Sequence, residues 1–333
     1  MLILFKRAKL ELRKLQKTPD GTFFTTLPKS WINRLGLNQG AVLSLTERRN
    51  GKIVLGPYIE VERKIEEATL KPSTLIEREI IEKYLLGYDV IGIESEEMID
   101  LELREKVKRT LRRLVGLEIV EEDFKKITVQ CLLESSLLIP DKIMRRLHLI
   151  TSAMQKDSFL AIAHGNLKLA NTVIERDEEV DRLYFLLVRL IRKAINEPSI
   201  CEKLSTTPVD CLDYRLLVSF MESFADCSVK IAENALSLTR RKLPEKIVSF
   251  FERAGEMVHA MYNDAVNSVF TRNLKAAAEI TRKYEELKRL LKEIEVLLLE
   301  MPRDEMERLT PAIMALNRMY DINVDIADLT VTR

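Results

Sequence analysis

The sequence predicts a multidomain, mainly α protein: a small β-rich domain, a small α/β segment, then two three-helix bundles. Three observations carry this. From Ile139 onward, apolar residues recur at helical spacing in six long stretches with short joins, which is bundle geometry. The first 60 residues are instead short β-branched and aromatic runs separated by Pro, Gly and Asn turns. Charge divides the same way. The whole chain of 333 residues carries only +1, yet residues 1–60 hold eleven Lys and Arg against four Asp and Glu, leaving an acidic remainder.

Residues 13–40, RKLQKTPDGTFFTTLPKSWINRLGLNQG, set out the N-terminal order. Leu10, Leu12 and Leu15 among Lys9, Arg13, Lys14 and Lys17 read as a short basic strand. Pro19-Asp20-Gly21 is a turn, and residues 22–27 read as a second strand. Pro28 ends that strand and suits the first turn of a helix, in which Trp31, Ile32 and Leu35 share a face. Residues 41–47 and 53–55 read as two more strands. Fewer than 60 residues cannot bury a sufficient core alone, so pairing with a second copy is expected.

The pattern QKTPDGTFFTTLPKSWINRLGLNQGAVLSL resembles the AbrB/SpoVT-like and MazE-like swapped-hairpin DNA-binding domains, over residues 9–57. The resemblance implies a homodimer of interleaved hairpins with a basic face on double-stranded DNA. Arg13, Lys14, Lys17 and Lys29 are the first candidates for phosphate contacts, followed by Arg34, Arg48 and Arg49. Basic residues on an edge strand can also serve only to keep it soluble.

Residues 61–136 read as a connector or dimerisation module. A Glu-rich linker precedes a helix over 74–86, which Gly87 breaks. Residues 90–93 read as a buried strand, 100–115 as a charged amphipathic helix, and 117–120 and 127–133 as strands.

The six following helices are placed at 141–164, 166–196, 209–240, 244–271, 273–300 and 303–329, in bundles spanning 137–241 and 242–333. They contain an internal repeat. DEEVDRL, from Asp177, aligns with YEELKRL, from Tyr284. MESFADCSVKIAENAL, from Met221, aligns with LNRMYDINVDIADL, from Leu316. Two related three-helix bundles resemble the PhoU family, which regulates phosphate uptake and carries (E/D)xxxD motifs on facing helices. The first repeat keeps both motifs, as Asp177 with Asp181 and Glu222 with Asp226. Spacing of four puts each pair on one helix face. Four such carboxylates could hold a divalent or ferric metal ion, or could form a solvated acidic cluster. The second repeat departs from the pattern, with Tyr284 and Lys288 in place of the first pair and Asn317 with Asp321 in place of the second.

His148, His164 and His259 have no metal-binding or catalytic spacing and read as helix-surface residues. The four cysteines form no CxxC pair. No phosphate loop or nucleophile elbow is present, so an enzyme is not expected. No apolar run suffices for membrane insertion, so the cytoplasm is expected. The combination resembles the AbrB–PhoU fusion regulators of archaea, which implies a transcriptional regulator of phosphate uptake with a helical sensor or relay. Two rival readings remain. One is a signalling module docking on a phosphate transporter component, with the N-terminal domain only dimerising. The other is a metal sensor.

Overall fold

The computed structural model describes residues 11–47, 51–58, 65–133, 138–197, 200–201, 204, 206–238 and 243–331. The chain divides into two compact units, Met1–Lys64 and Ile65–Arg333.

In the first unit β1 (Gln16–Lys17) pairs antiparallel with β2 (Phe23–Phe24), helix α1 (Lys29–Arg34) follows, and β3 (Leu43–Glu47) pairs antiparallel with β4 (Ile53–Pro57). The first two strands are shorter than the sequence suggests. The Pro19-Asp20-Gly21 turn is held by Thr18, whose hydroxyl accepts from the Thr22 amide at 3.0 Å. Pro28 is buried, whereas Leu12, Leu15, Phe23, Leu45 and Ile53 are each more than 60% exposed. The strands carry the apolar side chains of a core, but within one chain those side chains face solvent.

The second unit opens with a strand that the sequence reading missed. Strand β5 (Glu67–Leu70) falls in and beyond the Glu-rich stretch taken as a linker, and pairs parallel with β6 (Val90–Glu94). Helix α2 (Ile76–Leu86) crosses between them and ends at Gly87, whose φ of 100° needs no Cβ in the way. Helix α3 (Leu101–Arg112) starts at Asp100, whose side chain accepts from the Leu103 amide at 2.7 Å. Strands β7 (Leu117–Glu122) and β8 (Lys126–Cys131) complete an open sheet of order β5-β6-β8-β7. Its core of Ile76, Ile80, Tyr84, Ile91, Ile93 and Val107, with their neighbours, is separate from that of the helices beyond.

Six long helices follow: α4 (Pro140–His164), α5 (Leu167–Asn196), α6 (Pro208–Ser237), α7 (Glu245–Thr271), α8 (Leu274–Leu299) and α9 (Arg303–Val331). Local caps explain their starts. Asn166 and Asn273 accept from amides three residues on, and Thr207 with Asp210 forms a reciprocal capping box. One apolar core runs through all six, with Met144, Met154, Met221, Met261 and Met319 among its fillers.

A polar seam joins α4 to α7. The Thr151 and Tyr262 hydroxyls lie 2.7 Å apart, and Gln155 Nε2 donates to the Gly255 carbonyl at 2.9 Å. His148 corrects the surface reading: it is buried, with its ring edge-on to Tyr262 at 5.2 Å, and burial pushes its pKa down to about 4. Beside the seam the helices touch at Gly255, where a Cβ would sit 2.9 Å from Phe159 side-chain atoms, Cβ included. Gly255→Ala is therefore expected to destabilise by about 1–3 kcal/mol through overpacking, less the roughly 1 kcal/mol that alanine gains in a helix. A urea midpoint at or above that of the wild type would show that Phe159 yields freely.

Candidate functional site

Two regions carry candidate residues. In the first unit, Arg13 and Lys14 lead directly into β1, and Lys17 ends it, so the three share one arm of the hairpin. All are exposed. Arg13 is tied to Glu11 at 2.7 Å, and Lys17 Nζ sits 5.5 Å from the centre of the Phe23 ring. Lys29 and Arg34 stand at the two ends of α1, also exposed. Arg48 and Arg49 lie outside the described residues.

In the second unit the four carboxylates named from the repeat come together. Asp177 and Asp181 lie on α5, and Glu222 and Asp226 on α6, a helix packed along it. Burial, reinforced by Asp181 and Asp226, pushes the Asp177 pKa up to about 6. Burial, then Asp226 and Asp181, push Glu222 up to about 7. Asp226, at the exposed edge, is also raised, chiefly by desolvation against the opposing pull of Lys230. Such a cluster attracts a proton or a cation. The all-oxygen donor set suits a hard ion. Even so, among the described residues no three Asp, Glu, His or Cys side chains are gathered closely enough to hold one. Asp181 is instead engaged by Arg113 at 2.7 Å.

The raised pKa values set a pH dependence. Between about pH 4 and 7 the folded cluster keeps protons that the unfolded chain has released, so its contribution to stability falls as pH rises through that window. With chelator present, Glu222→Gln is expected to melt a few degrees above the wild type at pH 8, the gap closing by pH 4.5. A variant that melts lower at pH 8 would mean that the charged cluster stabilises the fold.

The second repeat is built differently. The Tyr284 ring packs on Tyr320 at 4.3 Å, and Lys288 Nζ lies 5.5 Å from the centre of the Tyr284 ring. Tyr284 and Lys288 stand where the first repeat has Asp177 and Asp181, while Asp321 keeps the carboxylate of Asp226.

Sequence reasoning did not find the cations around α5. Arg189 and Lys193 are buried, 1% and 7% exposed. Lys193 Nζ donates to Asp89 Oδ1 at 3.0 Å, and Arg189 donates to the Tyr84 and Tyr88 carbonyls at 2.7 and 2.8 Å. Asp89 Oδ2 accepts from the Glu66 amide at 3.3 Å. This cluster and the Arg113–Asp181 pair fasten the sheet segment to α5. All four cysteines are buried free thiols.

Among the described residues no helix is long and apolar enough to cross a membrane. The chain joins a small basic β-rich unit to a body of paired three-helix repeats. The family model described as PhoU domain matches residues 144–235 and 251–330, one stretch for each half of the repeat. The chain belongs to that family. Residues 16–63 match the model described as antidote-toxin recognition MazE, bacterial antitoxin. Among solved structures, PhoU from Pseudomonas aeruginosa shares the fold of the helical body: TM-score 0.53, 16% identity, 59% of this chain and 96% of that one. The phosphate transport system regulatory protein PhoU from Streptococcus pneumoniae also matches, with TM-score 0.47, 16% identity, 58% of this chain and 91% of that one. No curated protein matches.

Proposed function

We propose that the protein is a cytoplasmic DNA-binding transcriptional regulator of phosphate uptake or homeostasis, acting by binding and not by catalysis. Two copies pair through their N-terminal units and grip a two-fold related site on double-stranded DNA. The helical body senses or relays phosphate status. The observation that carries this reading is the joining, in one chain, of a basic MazE-type unit with its apolar side chains exposed to a PhoU body. Arg13, Lys14 and Lys17 contact phosphates, with Lys29, Arg34, Arg48 and Arg49 adding to the basic surface. Phosphate contacts set affinity, and base edges and DNA shape set sequence choice.

The test is fluorescence anisotropy of the full chain on its own upstream DNA, with random competitor and a salt titration. Tight binding that survives competitor and weakens with salt supports the regulator. Binding that random DNA abolishes overturns it in favour of a signalling module that docks on a phosphate transporter component, the N-terminal unit serving only to dimerise.

A second reading rests on the raised pKa values of Asp177 and Glu222. Asp177, Asp181, Glu222 and Asp226 would hold a divalent or ferric ion after Asp181 turns from Arg113, making the body a metal sensor. Stoichiometric metal that is lost in Asp177→Ala/Glu222→Ala is the expected result, and metal retained in that variant sinks it.

A further inference from the structure

A cleft of about 1390 Å³ opens between the end of α3, the first turns of α4 and the middle of α5. Among the described residues six cations line it, and three of them come from separate elements: Arg112 from α3, Lys142 from α4 and Arg182 from α5. Arg112 and Lys142 lie outside the stretches that the two family models cover, and Arg182 within one of them. The other three lining cations are occupied, Arg113 with Asp181, Arg146 with Glu179 and Arg109 with Glu77. Arg112, Lys142 and Arg182 have no carboxylate within ion-pair distance among the described residues, and all three are exposed. Three cations from three elements can together meet a ligand with at least two negative charges, which favours a phosphate group over a single carboxylate.

The α5 side of the cleft is also acidic, with Glu175, Asp177 and Glu178 on the same helix as Arg182. A bare polyanion would be repelled there. A magnesium-like cation keeps much of its water and is held by one or two protein carboxylates plus the phosphates of its own ligand. That mode needs no preformed cage of three carboxylates, and the described residues contain none.

We propose that this cleft binds a divalent-cation complex of a phosphate-bearing small molecule, with Arg112, Lys142 and Arg182 facing the phosphate and Asp177 and Glu178 facing the cation. The proposal deepens the reading of the helical body as a sensor and rests on it. DNA binding is measured separately, so a protein that takes this ligand but ignores its upstream DNA fails as a regulator while the cleft stands.

The experiment is isothermal titration of the full chain with magnesium chloride alone, with pyrophosphate alone in chelator, and with both together; inorganic phosphate with magnesium replaces pyrophosphate in a fourth arm. The joint probe is expected to bind at least tenfold more tightly than either component alone. R112A/K142A/R182A is expected to weaken it at least tenfold with an unchanged circular-dichroism melt, and the single variant Arg112→Gln to weaken it less. The Arg13→Ala/Lys14→Ala/Lys17→Ala variant is expected to bind it as the wild type does. Four results would overturn the proposal: a joint probe no tighter than its components, a cleft variant that binds equally well, loss of binding in the N-terminal variant, or displacement of the probe from that variant by duplex DNA. The last would make the cleft a nucleic-acid face.

Discussion

Asp89→Ala is expected to destabilise the second unit by about 3–5 kcal/mol, the cost of breaking a buried ion pair from one side. Asp89 is 6% exposed and is the carboxylate that faces Lys193 and Arg189. Its removal leaves two buried cations without a counter-charge. The Glu66 amide also loses its acceptor, at the point where β5 enters the sheet. Arg189 keeps the Tyr84 and Tyr88 carbonyls, but Lys193 has no equivalent among its described partners. The loss should appear as a lower urea midpoint with an unchanged slope. Removing the charges together, as Asp89→Ala/Arg189→Met/Lys193→Met, should recover much of it, because apolar side chains of similar volume often replace a buried ionic group without cost. Equal losses in the single and triple variants would show that the cost lies in packing and not in charge.

The second large effect is on DNA. Each phosphate contact to duplex DNA steepens the logarithmic salt dependence of binding by about 0.9, so a dimer losing Arg13, Lys14 and Lys17 from both arms should lose roughly 5 from that slope. At physiological salt the affinity should fall on the order of a thousandfold, uniformly across sequences. The three are not equivalent. Arg13 must give up Glu11, 2.7 Å away, before it can meet a phosphate, so Arg13→Ala alone should cost less than Lys14→Ala. A triple variant with the salt slope of the wild type would remove this arm from the interface and turn attention to Lys29 and Arg34.

The features legible in the sequence are those with local causes. Helices α4 to α9 start and stop within a few residues of their expected positions, because Asn166, Thr207, Asn273, Pro244 and Pro302 act on their own neighbours. The acidic cluster was legible through the repeat, which places Asp177 and Glu222 on adjacent helices without any knowledge of the contact. What escaped has distant causes. Strand β5 is short and follows a Glu-rich lead, and its one partner among the described residues, β6, lies beyond a helix. Arg189 and Lys193 sit in a helix with many charges, and nothing near them marks them as buried; Asp89 is about a hundred residues away. His148 was missed likewise, since its burial depends on Tyr262 of another helix. The basic arm was legible as charge, but its pairing of Arg13 with Glu11 was not.

The fastening of the sheet segment to α5 has a mechanical side. Arg113 grips the helix at Asp181, and Asp89 grips it at Arg189, eight residues further on, which is about 12 Å along a helix axis. Two anchors on one rod leave only a swivel about the line between them. Phe185, midway between the anchors and packed into the sheet core, blocks that swivel. The segment is thus an outrigger of α5 and not a hinged neighbour. A small roll of this one helix would be magnified at the outer strands, in proportion to their distance from its axis.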